Sequence, residues 1–168
     1  MITFKGKTVT LEGKMLKVGE VAPNFKVVDY NYNETELKNL KNQYIVINVV
    51  PSLDTPVCDI QTSTIYEEVF KISNKDIDVI TISNDLPFAQ LRWIEMHELE
   101  DAKVFSDYLY NEFGLNYGTL VKENKLLLRS VFVLNHKREI VYLEYAQEIT
   151  QHLDYDKLLN FINNLPDN

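Results

Sequence analysis

A single cysteine in 168 residues excludes an internal disulfide and a cysteine-rich metal site. Histidine is nearly as scarce. His97, His136 and His152 stand far apart, without the close spacing of paired ligands, so neither a metal nor another cofactor is expected. No apolar run approaches the roughly 18 residues of a membrane-spanning helix. The opening stretch, residues 1–7, alternates like a strand and lacks the apolar core of a signal peptide, so a cytoplasmic location and no membrane association are expected. Basic side chains are outnumbered 17 to 25, for a net charge of −8. With the lysines scattered among acids, such a surface repels a phosphate backbone, and nucleic acid is not an expected partner. Internal repeats, low-complexity tracts and long linkers are missing too.

What remains is an ordinary globular composition, 45% hydrophobic and 25% charged, long enough for a single domain over residues 1–168 with a full core. Ile2–Phe4 and Thr8–Leu11 alternate around Gly6 and predict an N-terminal hairpin, part of an extension over residues 1–17. An extended piece is expected near Phe25–Tyr30. Tyr44–Val50 is an almost unbroken β-branched run, as in a strand buried on both faces. Ile60, Ile65, Val69 and Ile72 recur at helical spacing. Ile77–Ser83 predicts a second buried strand, Pro87–Leu99 a second helix, Val104–Phe105 a short strand and Asp107–Phe113 a short helix before Gly114. Ser130–Leu134 and Ile140–Tyr145 read as a hairpin turning at Asn135–Arg138, and Asp154–Leu165 as a closing amphipathic helix. Strand–helix–strand–helix, then hairpin, then helix is the order of an α/β, thioredoxin-like fold: a mixed central sheet with helices on both faces, here with an N-terminal β-hairpin added.

The cysteine sits where that order gives it chemistry. Pro51-Ser52-Leu53-Asp54-Thr55-Pro56-Val57-Cys58 runs directly out of the first buried strand. Thr55 suits an N-cap and Pro56 the first helical position, where its missing N–H costs nothing. Cys58 is then the third helical residue, among free N–H groups at the positive end of the helix dipole. Such placement favours the thiolate, and the thiolate is the nucleophile. The Thr55 hydroxyl can point into the same turn, Pro51 offers a rigid apolar wall, and Arg129, opening the run Arg129–Leu134, is the candidate cation. Each also has a plain reading: Cys58 as core filler, Thr55 as a cap alone, Arg129 as a surface ion-pair partner. Trp93, Phe88 and Leu91 read as core or interface, and Met96 and His97 as surface.

Pro51, Thr55 and Cys58 match the Pro-x-x-x-Thr-x-x-Cys signature of the peroxiredoxins, and Arg129 falls where that family has its active-site arginine. With Ser83-Asn84-Asp85-Leu86-Pro87-Phe88-Ala89-Gln90 and the N-terminal hairpin, the chain resembles the Tpx-type thiol peroxidases within that family. The resemblance implies reduction of hydrogen peroxide and organic hydroperoxides through a sulfenic acid at Cys58. It implies catalytic roles for Cys58, Thr55, Arg129 and Pro51, and a homodimer.

One departure matters. Ile94 occupies the position where such enzymes carry a second, resolving cysteine. The sulfenic acid must then meet a thiol from outside, from thioredoxin, glutaredoxin or a low-molecular-weight thiol, or less readily Cys58 of another subunit, and is exposed to overoxidation meanwhile. The helix around Ile94 need not unwind during turnover. Two other readings stay open: a peroxide sensor or redox relay using Cys58 stoichiometrically, and a catalytically retired paralogue acting as a scaffold.

Overall fold

The computed structural model describes residues 1–72 and 74–167. In chain order the elements are β1 (Thr3–Phe4), β2 (Lys7–Thr8), β3 (Leu11–Glu12), β4 (Lys26–Val28), β5 (Glu34–Glu36), β6 (Tyr44–Val49) and α1 (Pro56–Phe70). They continue as β7 (Ile77–Ser83), α2 (Pro87–Met96), β8 (Lys103–Ser106), α3 (Glu112–Asn116), β9 (Leu120–Val121), β10 (Ser130–Leu134), β11 (Ile140–Tyr145) and α4 (Tyr155–Asn163). Seven strands form the central sheet in the order β11-β10-β6-β7-β8-β4-β5. Its centre, β6-β7-β8, is parallel, while β10 runs antiparallel to β6 and β4 antiparallel to β8. Among the described residues no helix is long and apolar enough to cross a membrane.

Every residue of β6 is buried, and strand alternation divides them between two cores. Tyr44, Val46 and Val50 pack with Ile65 and Val69 of α1, Trp93 and Ile94 of α2 and Leu158 and Ile162 of α4. Ile45, Ile47 and Val49 pack on the opposite face with Phe113, Tyr117 and Phe132. There the rings of Phe113 and Tyr117 stack at 4.3 Å, with Phe132 edge-on to Tyr117 at 5.2 Å. Each fully buried aliphatic or aromatic side chain of this kind stabilises by roughly 1.5–3 kcal/mol. Alternation also points Asn48 toward α1, the one amide in an otherwise apolar strand.

Several expected elements differ in detail. The N-terminal hairpin is only β1 and β2, because Leu11 leaves it to pair with Val121 of β9. In α1, Ile60 is 50% exposed, and the buried stripe is Cys58, Gln61, Thr62, Ile65, Tyr66 and Val69. Ile72 lies past the helix end. The helix α2 stops at Met96, not Leu99, because Glu98 turns left-handed (φ 52°) and the Leu99 N–H closes back on the Ile94 carbonyl at 3.1 Å. The short helix expected over 107–113 begins instead at Glu112 and contains Gly114. A Cβ at Gly114 would meet Leu127 Cδ2 at 2.9 Å and Leu120 Cβ at 3.0 Å, so packing chooses glycine there, not helix termination.

Asp107 anchors this helix, accepting from the N–H groups of Phe113 (3.0 Å) and Gly114 (2.8 Å). Burial nevertheless pushes its carboxyl up to about 7, against the pull of those two N–H groups. The unfolded chain releases this proton near pH 3.9. Stability from this group is therefore complete below about pH 4 and is lost as pH rises through about 7. Urea unfolding should show a loss on the order of 2 kcal/mol between pH 5 and pH 8 that Asp107→Asn removes. An identical pH dependence in the variant would mean that Asp107 is not its source.

Candidate active site

At the end of β6 the chain passes through buried Pro51 and Leu53 and exposed Asp54 and Thr55 before α1 begins. Asp85 fastens this loop. Its carboxylate accepts from Ser52 Oγ (2.7 Å), the Leu53 N–H (2.8 Å) and Ser83 Oγ (2.8 Å), tying the exits of β6 and β7 together. Thr55 holds extended backbone (φ −111°, ψ 145°) and Pro56 opens the helix, so Cys58 is its third residue. The Asp59 N–H bonds the Thr55 carbonyl at 3.0 Å. The Val57 and Cys58 N–H groups precede that bond and have no carbonyl a turn below them.

Cys58 is wholly buried. Against it lies Arg129, only 2% exposed, just before β10. Its Nη2 donates toward Cys58 Sγ at 3.2 Å, its Nη1 to Gln61 Oε1 at 2.8 Å and its Nε to the Ile149 carbonyl at 2.8 Å. This is no surface ion-pair partner. A guanidinium held by two neutral acceptors, with a third N–H aimed at sulfur, stabilises negative charge on that atom.

Sequence reasoning missed what lies beneath. Gln61, one helical turn after Cys58, passes the network on: its Nε2 donates to Asn48 Oδ1 (2.6 Å), and Asn48 Nδ2 donates to Thr62 Oγ1 (3.0 Å) and Thr81 Oγ1 (3.1 Å). The signal was Asn48 itself, an amide inside a β-branched run, which needs buried partners.

The two remaining expected residues are placed differently from each other. Pro51 is buried at the strand exit. Thr55 is exposed, and its hydroxyl donates to the Ser52 carbonyl at 3.0 Å instead of capping α1 through its side chain. The turn at 52–55 brings that carbonyl within reach of the hydroxyl before any helical N–H.

The helix α2 is pinned across the first turn of α1. Asp59 Oδ1 accepts from Trp93 Nε1 at 2.8 Å and meets His97 Nε2 at 2.7 Å, and the indole and imidazole rings stack at 4.3 Å. Arg92 Nη2 straddles both oxygens of Asp54, at 2.7 and 2.8 Å. His97 thus joins this contact, whereas the sequence assigned it to plain surface. Phe88, expected in core or interface, is 70% exposed, while Trp93 and Ile94 are in the core. A groove of about 300 Å³ runs between the two helices, lined by Leu53, Thr55, Pro56, Trp93, Met96 and His97 among others. Tyr155, at the start of α4, feels the same centre: burial pushes its hydroxyl up to about 12, Arg129 pulls it down and Cys58 pushes it up.

Comparison with known proteins places the chain in a family. The Redoxin family profile matches residues 17–159. The chain is similar to a thiol peroxidase of Bacillus subtilis, with 45% identity over 93% of this chain and 92% of that one. It is similar to a thiol peroxidase of Staphylococcus epidermidis, with 43% identity over 98% of each. Among solved structures, a peroxiredoxin-like protein from Aquifex aeolicus superposes with a TM-score of 0.84 and 36% identity, over 96% of this chain and 94% of that one.

Proposed function

Because this chain belongs to the redoxin family, we infer that it is a thiol-dependent peroxidase, reducing hydrogen peroxide and organic hydroperoxides through a sulfenic acid at Cys58. The observation that carries this reading is the Arg129 Nη2 to Cys58 Sγ contact of 3.2 Å inside a closed, hydrogen-bonded site. Residues 1–168 act as one thioredoxin-like unit, with 1–17 as an N-terminal extension.

In the first half-reaction the Cys58 thiolate attacks one peroxide oxygen. The S–O bond forms as the O–O bond breaks, sulfur loses two electrons, and the second oxygen departs with a proton as water or alcohol. Negative charge moves from sulfur to the leaving oxygen, so donors that already face the sulfur are placed to follow it. Arg129 Nη2 is such a donor, and the first-turn N–H groups of Val57 and Cys58 add the positive end of the helix dipole. Thr55 joins them by rotating its hydroxyl away from the Ser52 carbonyl toward the bound peroxide. Pro51 keeps water from the back of the site. Since Cys58 is sealed in the resting structure, side chains over it must part for each peroxide.

The second half-reaction uses an external thiol. Ile94 is 2% exposed within the core face of α2, and the chain has no other cysteine. A thiolate from thioredoxin, glutaredoxin or a low-molecular-weight thiol attacks the sulfenic sulfur; the S–S bond forms as the S–O bond breaks, and the hydroxide expelled takes a solvent proton to leave as water, giving a mixed disulfide. A second thiol then releases reduced Cys58. A reducing cytoplasm suits such a cycle. The exposed apolar side chains Ile60, Leu86, Phe88 and Met96 on and beside the two helices favour a homodimer through this face, and sedimentation equilibrium returning only monomer would remove that part.

The experiment for the whole reading mixes reduced protein with one equivalent of peroxide, then follows it by intact mass and a sulfenic-acid trap. Fast, stoichiometric trapping at Cys58, with repeated turnover once a thiol is added, is the expected result. Oxidation without turnover under any of the three thiol classes would favour the stoichiometric sensor. Reactivity no faster than a free thiol would favour the scaffold.

A further inference from the structure

The N-terminal hairpin is too small to persist alone. Two strands of two residues make a marginal structure in water. Ile2 and Phe4 pack against the core, and one carboxylate gathers the turn. Glu148, in the loop between β11 and α4, accepts from Thr3 Oγ1 (2.7 Å), the Lys5 N–H (3.0 Å) and the Gly6 N–H (3.0 Å) on the hairpin, and from the N–H (3.0 Å) and hydroxyl (2.7 Å) of Thr150 on its own side. Lys5 (φ 51°) and Gly6 (φ 74°) are both left-handed, as the tightest hairpin turn requires, and that conformation turns two successive N–H groups toward one anion. Although burial alone would raise the Glu148 carboxyl, these bonds from Thr150, Gly6 and Thr3 hold it down to about 2. Main-chain bonds flank it on either side, Thr3 N–H to the Gln147 carbonyl (2.8 Å) and Ile149 N–H to the Thr3 carbonyl (2.9 Å).

The residue following this clamp is Ile149, whose carbonyl accepts Arg129 Nε at 2.8 Å. The guanidinium is planar, so Ile149 at one edge and Gln61 at another fix its plane, and only then does Nη2 point at Cys58. We propose that Glu148 is a positioning residue for peroxide reduction, locking the 147–150 loop to the N-terminal hairpin so that the Ile149 carbonyl holds Arg129 in register with Cys58. The hairpin is thereby a working part of the active site, although it touches neither Cys58 nor Arg129 through a hydrogen bond of its own. The proposal rests on the reading of Arg129 given above.

The test is a double-mutant cycle on the second-order rate of Cys58 oxidation by hydrogen peroxide, followed by rapid quench and intact mass. Glu148→Gln should slow oxidation about tenfold in the wild-type background, and clearly less when Arg129 is already lysine. Thr3→Val, which removes one donor and keeps the carboxylate, should slow it in the same direction by about twofold. If Glu148→Gln does not fold, Thr3→Val in the two backgrounds decides. An equal factor in both backgrounds would mean that the clamp supports only the fold, and the proposal falls. So it does if Arg129→Lys slows the reaction but the clamp variants leave it unchanged, an outcome that spares the reading of Arg129. If Arg129→Lys itself has no effect, that reading fails and takes the proposal with it.

Discussion

Cys58→Ser abolishes peroxide reduction while leaving the fold intact. The serine hydroxyl is not ionised near neutral pH, and its oxygen cannot take the electrophilic oxygen that sulfur accepts from a peroxide. The substitution is also sterically mild, one buried sulfur exchanged for a smaller oxygen beside donors that suit it, Arg129 Nη2 first among them. The measurement is consumption of peroxide with excess thiol, alongside urea unfolding of both proteins. The variant matters for a second reason. The chain has three methionines, and Met96 is 74% exposed. A thioether gains one oxygen from peroxide just as a thiol does, so mass alone does not locate the oxygen. Slow oxidation that persists in Cys58→Ser belongs to methionine, and rapid oxidation that disappears belongs to Cys58. Peroxidase activity in Cys58→Ser equal to wild type would end the proposed mechanism.

Arg129→Met should carry the next largest loss, a factor of about 10²–10³ in the rate of Cys58 oxidation. Methionine fills much of the same volume and removes every donor. The rate falls because the charge that leaves sulfur for the departing oxygen then faces only the two first-turn N–H groups and the Thr55 hydroxyl. Stability falls too, by about 1–3 kcal/mol for each buried acceptor left without its donor, here Gln61 Oε1 and the Ile149 carbonyl. The two losses separate experimentally. Single-turnover oxidation well below the unfolding transition reads the first, and the urea midpoint reads the second. An unchanged oxidation rate with a lowered midpoint would make Arg129 a structural residue and nothing more.

The central architecture was legible in the residues because its signals are strong and local. β6 announces itself by an unbroken buried run, α1 by Thr55-Pro56 at its start, and the β10–β11 hairpin by the Asn135–Arg138 turn. Elements defined by distant partners were not legible: β3 and β9 are two residues each and exist only because they pair with one another across more than half the chain. The same division runs through the site. Local order gives the positions of Cys58 and Pro51, and the place of Arg129 just before a strand makes it a candidate, which the structure sets against Cys58. Gln61 was passed over because a glutamine in a helix is ordinary until the strand beneath it supplies Asn48. Thr55 was assigned the right backbone role but the wrong hydroxyl partner, since the preceding turn competes for the same hydrogen. Nothing local singles out Glu148, because its hairpin partners lie at the other end of the sequence.

The chain has only one tryptophan, and the indole N–H of Trp93 bonds Asp59, the residue after the reactive cysteine. Its ring is stacked on His97 and buried in the core face of α2. Any shift of the first turn of α1 when Cys58 gains an oxygen or a thiol adduct must therefore pass through that hydrogen bond. The protein carries a built-in fluorophore at its reactive centre, with no competing indole emission. Oxidation of Cys58 should therefore change Trp93 emission, read in stopped flow without a label, a dye or a coupled enzyme; unchanged emission would mean that the first turn of α1 does not move.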